Sequence, residues 1–129
     1  MTQETRGSAA AGTLNRSRSL DRELALSRIG GDLELLQEIA LLFLSDSGRM
    51  LDEIHKAVAA HNAGALDRAA HTLKGCVSNF GAQTLYEAAL AMERMGHSGD
   101  LSTVGPAYQQ LRAELLQLET DLRELTAEA

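Results

Sequence analysis

The sequence predicts an all-α protein, an antiparallel four-helix bundle with a short additional N-terminal helix. Its 129 residues are rich in Ala, Leu and Glu, and aromatic residues make up only 3%. Such a composition favours helices over strands. From Leu20 onward the apolar residues recur with helical spacing, and no βαβ alternation interrupts them. Four long amphipathic stretches joined by short connections are typical of an antiparallel bundle.

Two regions differ in character. Residues 1–19 are rich in Gly, Ser, Thr and Ala and lack apolar periodicity, so we expect a flexible tail or linker there. We expect residues 20–127 to form the bundle domain. No signal peptide is expected, and no run approaches the length of a membrane span. The single cysteine, Cys76, fits a reducing compartment, which predicts a cytoplasmic protein without membrane contact. The net charge of −6 argues against nucleic-acid binding.

The first two bundle elements are bounded by clear signals. A short helix over 20–28 ends at the Gly30-Gly31 pair, and Asp32 can then cap a longer helix. That helix carries a predicted buried stripe of Leu35, Leu36, Ile39, Leu42 and Phe43. The polar run SDSG at 45–48 interrupts the pattern before a second stripe formed by Leu51, Ile54 and Val58. Two helices and one bent helix both fit this stretch.

Three further helices follow. We predict one over 65–80 that ends at Gly81, and another over 83–95 that is stopped by Gly96. Pro106 fits the first turn of the last helix. Its leucines fit an intramolecular core better than a coiled-coil dimer, so a monomer is expected; they are Leu111, Leu115, Leu118 and Leu122. Its acidic residues are expected on a solvated face; they are Glu114, Glu119, Asp121 and Glu124.

The 65–80 helix has two chemically distinct faces. At about 100° per residue, one side gathers a core face made of Leu66, Ala69, Ala70, Leu73, Cys76, Val77 and Phe80. The opposite side gathers Asp67, Arg68, His71, Lys74, Gly75 and Ser78. His71 therefore projects away from the core. A buried structural role for this histidine is disfavoured.

Gly75 is the unusual residue of the exposed face. A glycine inside a helix costs about 1 kcal/mol relative to alanine, and a longer side chain would meet no packing constraint on an exposed face. Bare backbone beside His71 indicates that something approaches closely, and the ammonium of Lys74 would suit a phosphoryl group. Periodicity alone leaves two interpretations open, a functional site or an ordinary surface histidine with an incidental glycine.

The stretch AHTLKGCVSNFGA at 70–82 resembles the signature of histidine phosphotransfer (HPt) domains, roughly A-H-x-L-K-G-x-x-x-x-x-G-A. The fixed positions are filled by Ala70, His71, Leu73, Lys74, Gly75, Gly81 and Ala82. The resemblance spans about residues 20–125 and includes GGDLELLQEIALLFL upstream and ALAMERMGHSGD downstream.

The resemblance implies a phosphorelay carrier in two-component signalling. His71 would accept a phosphoryl group from a phospho-aspartate of a response-regulator receiver domain and pass it to another receiver. Lys74 would neutralise the transferred group, and Gly75 would provide steric clearance. Glu93 would hydrogen-bond the imidazole and Arg68 would add positive potential. Ser78 and Asp67, on the same face, are expected docking residues.

The same resemblance limits the chemistry expected of the chain. It has no phosphate-binding loop, so we expect no kinase activity and no cofactor, with Mg²⁺ supplied by the partner receiver. No metal site is expected, because His55, His61 and His97 lack the spacing of metal ligands. Receiver domains are the expected partners, and a hybrid sensor histidine kinase is a further candidate. Two alternatives are a helical adaptor that is never phosphorylated and the detached phosphotransfer domain of a chemotaxis-type kinase.

Overall fold

The computed structural model describes residues 19–128, in which five α-helices and one 3₁₀ turn occur. They are α1 (Arg22–Arg28), α2 (Leu33–Ala59), α3 (Ala63–Val77) with the 3₁₀ turn Ser78–Phe80, α4 (Gln83–Ser98) and α5 (Val104–Ala127). Helices α2 to α5 pack in a ring, each against its two neighbours, while α1 lies against the 3₁₀ turn. This confirms the predicted four-helix bundle with an extra N-terminal helix. None of these helices is both long and apolar enough to cross a membrane.

The predicted tail falls mostly outside the described residues. Its last residue, Ser19, is buried, and its hydroxyl donates a hydrogen bond to the carboxylate of Asp121 on α5.

Helix α2 is continuous, which resolves the ambiguity left by the SDSG run. Its 27 residues begin after Asp32, whose carboxylate accepts a hydrogen bond from the backbone of Leu35. Within the run, the Ser45 hydroxyl donates to the Leu42 carbonyl at 2.8 Å, so its polar group is satisfied without breaking the helix. Ser47 points inward instead and is 1% exposed. A polar run can thus pass through a helix when its hydroxyl groups find acceptors.

The core runs the length of the bundle and is almost entirely aliphatic. The predicted leucines of α5 are fully buried within the chain, as are five residues of the core face predicted for 65–80, namely Leu66, Ala70, Leu73, Val77 and Phe80. The other two, Ala69 and Cys76, are only partly buried. Two predictions for α2 were wrong, because Leu35 is 39% and Leu42 is 68% exposed. The predicted apolar stripe is wider than the face of α2 that the neighbouring helices cover.

The prediction that Glu119 lies on a solvated face was also wrong. This side chain is 8% exposed and accepts a hydrogen bond from the Ser47 hydroxyl, which links α5 to α2. A carboxylate on the rim of the leucine stripe can turn inward when a buried donor faces it. Periodicity in a single helix cannot show that donor, since it comes from another helix.

Helix α1 is fastened to the end of α3. The backbone N–H of Asp21 donates to the carbonyl of Phe80 at 3.0 Å, and the Arg28 guanidinium donates to the carbonyl of Ser78. Gly81 ends the 3₁₀ turn with a φ of 61°, as the prediction of a terminator there requires. A Cβ on Gly81 would lie 2.9 Å from the Cβ of Asp21, so glycine also lets α1 approach.

Helix α4 does not stop at Gly96, and this prediction needs correction. The helix continues to Ser98 and ends at Gly99, which has a left-handed φ of 83°. Gly96 is buried where α4 crosses the first turns of α3, and a Cβ there would lie 2.5 Å from the backbone nitrogen of Asp67. The glycine permits a close helix–helix approach rather than a stop.

Candidate functional site

The site is built on the outer face of α3, where the sequence placed it. The imidazole of His71 is 67% exposed. Gly75 lies one turn further along, and a Cβ on it would meet no atom within 4 Å. No neighbour within the described residues therefore requires a glycine at this position. The space beside His71 on this face is open.

Glu93 on α4 joins the histidine and the lysine. Its Oε2 atom lies 2.8 Å from Nδ1 of His71, and its Oε1 atom lies 2.7 Å from the Nζ atom of Lys74. The Oε1 atom is buried and meets the ammonium as an ion pair rather than through a well-directed hydrogen bond. The Lys74 and Glu93 side chains are each 18% exposed, so this pair forms a half-buried base beneath the exposed imidazole.

The charges in this trio reinforce one another. The Lys74 ammonium holds the pKa of the Glu93 carboxyl below its ordinary value, and His71 adds to that shift. In turn, Glu93 raises the pKa of Lys74. Glu93 is therefore ionised near neutral pH and can only accept hydrogen bonds. The proton of a neutral imidazole then belongs on Nδ1, where it donates to Glu93, and the lone pair is left on the outward nitrogen, Nε2.

Tyr86, on the first turns of α4, is a site neighbour that the sequence analysis missed. The Lys74 ammonium lies 6.0 Å from the centroid of its ring, within range of a cation–π contact. The ring and Glu93 together hold the lysine side chain along α4. The available signal was weak, because a half-buried tyrosine on an amphipathic helix is usually an ordinary core-edge residue.

Three other predicted site residues make their contacts away from the imidazole of His71. The Arg68 guanidinium folds back toward the start of α3, where its Nη1 atom lies 3.5 Å from the place a Cβ of Gly64 would occupy. The Asp67 carboxylate lies 3.6 Å from Nδ1 of His97. The Ser78 hydroxyl donates to the carbonyl of Gly75 at 2.7 Å. Arg68 and Asp67 lie on α3 and Ser78 lies in the 3₁₀ turn after it, and none of the three is hydrogen-bonded to the imidazole.

Comparison with known proteins places this arrangement in a family. A model of the family described as Hpt domain matches residues 38–121, which include His71, Lys74, Gly75 and Glu93. This chain belongs to the HPt domain family. It is also similar to the crystal structure of histidine-containing phosphotransfer protein B (HptB) from Pseudomonas aeruginosa PAO1, with a TM-score of 0.78. That match has 24% sequence identity and covers 85% of this chain and 96% of the other, which shows a shared fold. No curated protein sequence matches significantly.

Membership in the HPt family fixes the general role of the chain. HPt domains are phosphocarrier modules of two-component signalling rather than kinases. The candidate phosphoacceptor of this HPt domain, His71, is exposed on the outer face of α3. Among residues 19–128, no three His, Cys, Asp or Glu side chains are grouped to hold a metal ion.

The Glu93 carboxylate gives this HPt domain a predictable acid sensitivity. Folding lowers the pKa of the Glu93 carboxyl. Ionised Glu93 therefore stabilises the fold at any pH above the pKa of the unfolded chain, about 4.3, and this stabilisation is lost as the pH falls through the lower pKa of the folded state. We expect the stability difference between wild type and Glu93→Gln to shrink as pH falls from about 6 to about 3. Urea unfolding at each pH measures it. The exposed Glu124→Gln serves as a control, and a Glu93→Gln difference that stays constant with pH would contradict the assignment.

Proposed function

We propose that this HPt domain carries a phosphoryl group on His71, taking it from a phospho-aspartate of one receiver domain and passing it to an aspartate of another. The observation that carries the proposal is the exposed imidazole whose inner nitrogen is held by the ionised Glu93. That contact leaves Nε2 as the nucleophilic atom and points it away from the bundle. A second protein can reach it without any rearrangement of the helices.

The transfer step is a displacement at phosphorus. The lone pair of Nε2 attacks the phosphorus atom, an N–P bond forms, and the P–O bond to the receiver aspartate breaks as its carboxylate leaves. The imidazole ring gains positive charge as the N–P bond forms. Glu93 stabilises that charge through Nδ1–H, which it already contacts at 2.8 Å. The reverse displacement, by the carboxylate of a second receiver, returns the ring to its neutral state.

Lys74 stabilises the phosphoryl group, and Gly75 leaves the receiver access to His71. The Lys74 ammonium sits one turn from His71, and an incoming phosphoryl oxygen competes with Glu93 for it. Gly75 leaves room for the partner loops that surround the phospho-aspartate. Magnesium, where the reaction uses it, is bound by the acidic pocket of the receiver. A hybrid sensor histidine kinase that carries a receiver is a candidate donor.

The proposal is tested by incubating the chain with receiver domains phosphorylated with radiolabelled acetyl phosphate. We expect acid-labile label on wild type and none on His71→Gln, with both proteins equally folded by circular dichroism. The His55→Gln variant, which alters another exposed histidine, is the matched control and should accept label normally. Label that persists in His71→Gln would overturn the carrier assignment.

Two other results would favour the alternatives. A wild-type chain that binds receivers but never takes up label would be an adaptor. A chain that is labelled by a soluble ATP-hydrolysing chemotaxis-type kinase core, and by no receiver, would be the detached phosphotransfer domain of such a kinase. Docking roles for Ser78 and Asp67, and a supporting positive potential from Arg68, belong to the carrier proposal.

A further inference from the structure

A cavity of about 340 Å³ opens between α1, the 3₁₀ turn and the start of α4. It is lined by Arg28, Ser78, Gly81, Ala82, Gln83 and Tyr86. Tyr86 connects it to the proposed phosphotransfer site, because the same ring lies 6.0 Å from the Lys74 ammonium. Ser78 connects it a second time, because it begins the 3₁₀ turn directly after α3, seven residues beyond His71 and about 10 Å away at the rise of a helix.

The lining of this cavity contains no carboxylate. Two of its donors already have partners, since the Ser78 hydroxyl donates to the Gly75 carbonyl at 2.7 Å and Nε2 of Gln83 donates to Glu87 at 2.8 Å, so Arg28 is the donor that matters. Arg28 uses Nη1 to bind the carbonyl of Ser78, and the remaining N–H groups of its guanidinium are left for another acceptor. Two other exposed arginines are paired with carboxylates, Arg22 with Glu128 at 2.6 Å and Arg49 with Glu53 at 3.2 Å. Within residues 19–128, no carboxylate lies within ion-pair distance of Arg28.

We propose that this cavity is a docking subsite for an acidic side chain of the receiver that exchanges phosphate with His71, and that Arg28 is its principal contact. The inference rests on the proposed function, since that function supplies the receiver. A receiver that positions its phospho-aspartate over His71 also covers the surface next to the site, where it can present an acidic side chain to the cavity. Arg28 supplies the complementary positive charge on an otherwise acidic protein, whose net charge is −6.

The proposal assigns α1 a part in recognition in addition to its part in folding. If Arg28 only fastened α1 to the 3₁₀ turn, its replacement would lower stability and leave receiver affinity unchanged. If it binds the receiver, its replacement raises the receiver concentration needed for half-maximal transfer and leaves the maximal rate unchanged. The second effect weakens with added salt, because salt screens an exposed charge pair.

The experiment compares three variants with a receiver domain that phosphorylates the wild-type chain. Arg28→Gln removes the charge but keeps an amide that can bind the Ser78 carbonyl. Gln83→Glu places a carboxylate at the cavity rim and leaves Arg28 unchanged. It gives up the hydrogen bond that Gln83 donates to Glu87 at 2.8 Å, a cost that thermal unfolding measures separately. Arg123→Gln, an exposed arginine on α5, makes the same charge change elsewhere. Transfer rates are measured against receiver concentration at low and high salt, with thermal unfolding of each variant.

We expect Arg28→Gln and Gln83→Glu each to raise the half-saturating receiver concentration about 3- to 5-fold at low salt, as suits a partly exposed charged contact. Arg123→Gln should behave as wild type. Equal behaviour of Arg28→Gln and Arg123→Gln would overturn the inference while leaving the carrier function intact. A saturable shift of the Gln83 side-chain amide resonances with inorganic phosphate alone would also overturn it, by showing a small-anion site. If no receiver labels or binds wild type, the proposed function fails, and this subsite fails with it.

Discussion

Gly75→Glu is expected to fold normally and to lose phosphoryl transfer by a factor on the order of 100. The new side chain would meet no atom of the protein, because a Cβ at this position has nothing within 4 Å. Its carboxylate would stand one turn from His71, where it repels the phosphoryl group and fills the space that the partner must enter. Single-turnover transfer from a phosphorylated receiver measures the loss, and urea unfolding measures stability.

Gly48→Glu provides the matched control for that prediction. Gly48 also lies inside a helix, and a Cβ on it would likewise meet nothing within 4 Å. It lies on α2, next to Ser47, which faces α5 rather than the phosphotransfer face. Both variants gain helix propensity of about 0.5–1 kcal/mol and change the net charge equally. Wild-type transfer by Gly75→Glu, or an equal loss in Gly48→Glu, would contradict a clearance role for Gly75.

Much of the site could be predicted from the sequence because it lies on one helix. The positions of His71, Lys74 and Gly75 follow from a rotation of about 100° per residue, which needs no knowledge of neighbouring helices. The same arithmetic separated most of the α3 core from the exposed face. Glu93 came from a resemblance to a family and not from spacing, since it lies on another helix.

The features that sequence reasoning missed all depend on contacts between helices. Glu119 is buried because Ser47 of α2 faces it, and Leu42 is exposed because no neighbour covers that edge of α2. Tyr86 lies near Lys74 because α4 packs along α3, and Arg28 binds the carbonyl of Ser78 because α1 packs against the 3₁₀ turn. In each case the residue types were ordinary, and only the packing distinguished them.

Gly96 shows the same limit in a single residue, because a glycine near a helix end suggests a stop. Helix α4 ends three residues later, at Gly99, and Gly96 instead lies against the backbone of α3. A Cβ on it would lie 2.5 Å from the nitrogen and 2.9 Å from the Cα of Asp67, and 2.7 Å from the carbonyl oxygen of Ala63. These are backbone atoms, which cannot move aside as the end of a flexible side chain can.

We therefore expect Gly96→Ala to lower the free energy of unfolding by about 3 kcal/mol, the upper part of the range for overpacked sites. For a domain of this size, that loss corresponds to a fall in Tm of about 10 °C, measurable by circular dichroism. Gly105→Ala is the control, because its Cβ would meet nothing within 4 Å and alanine favours a helix. An unchanged Tm in Gly96→Ala would show that α3 and α4 can separate freely. Glu93 lies one turn before Gly96. A methyl group at residue 96 that pushes α4 away from α3 would therefore also move the carboxylate that contacts His71.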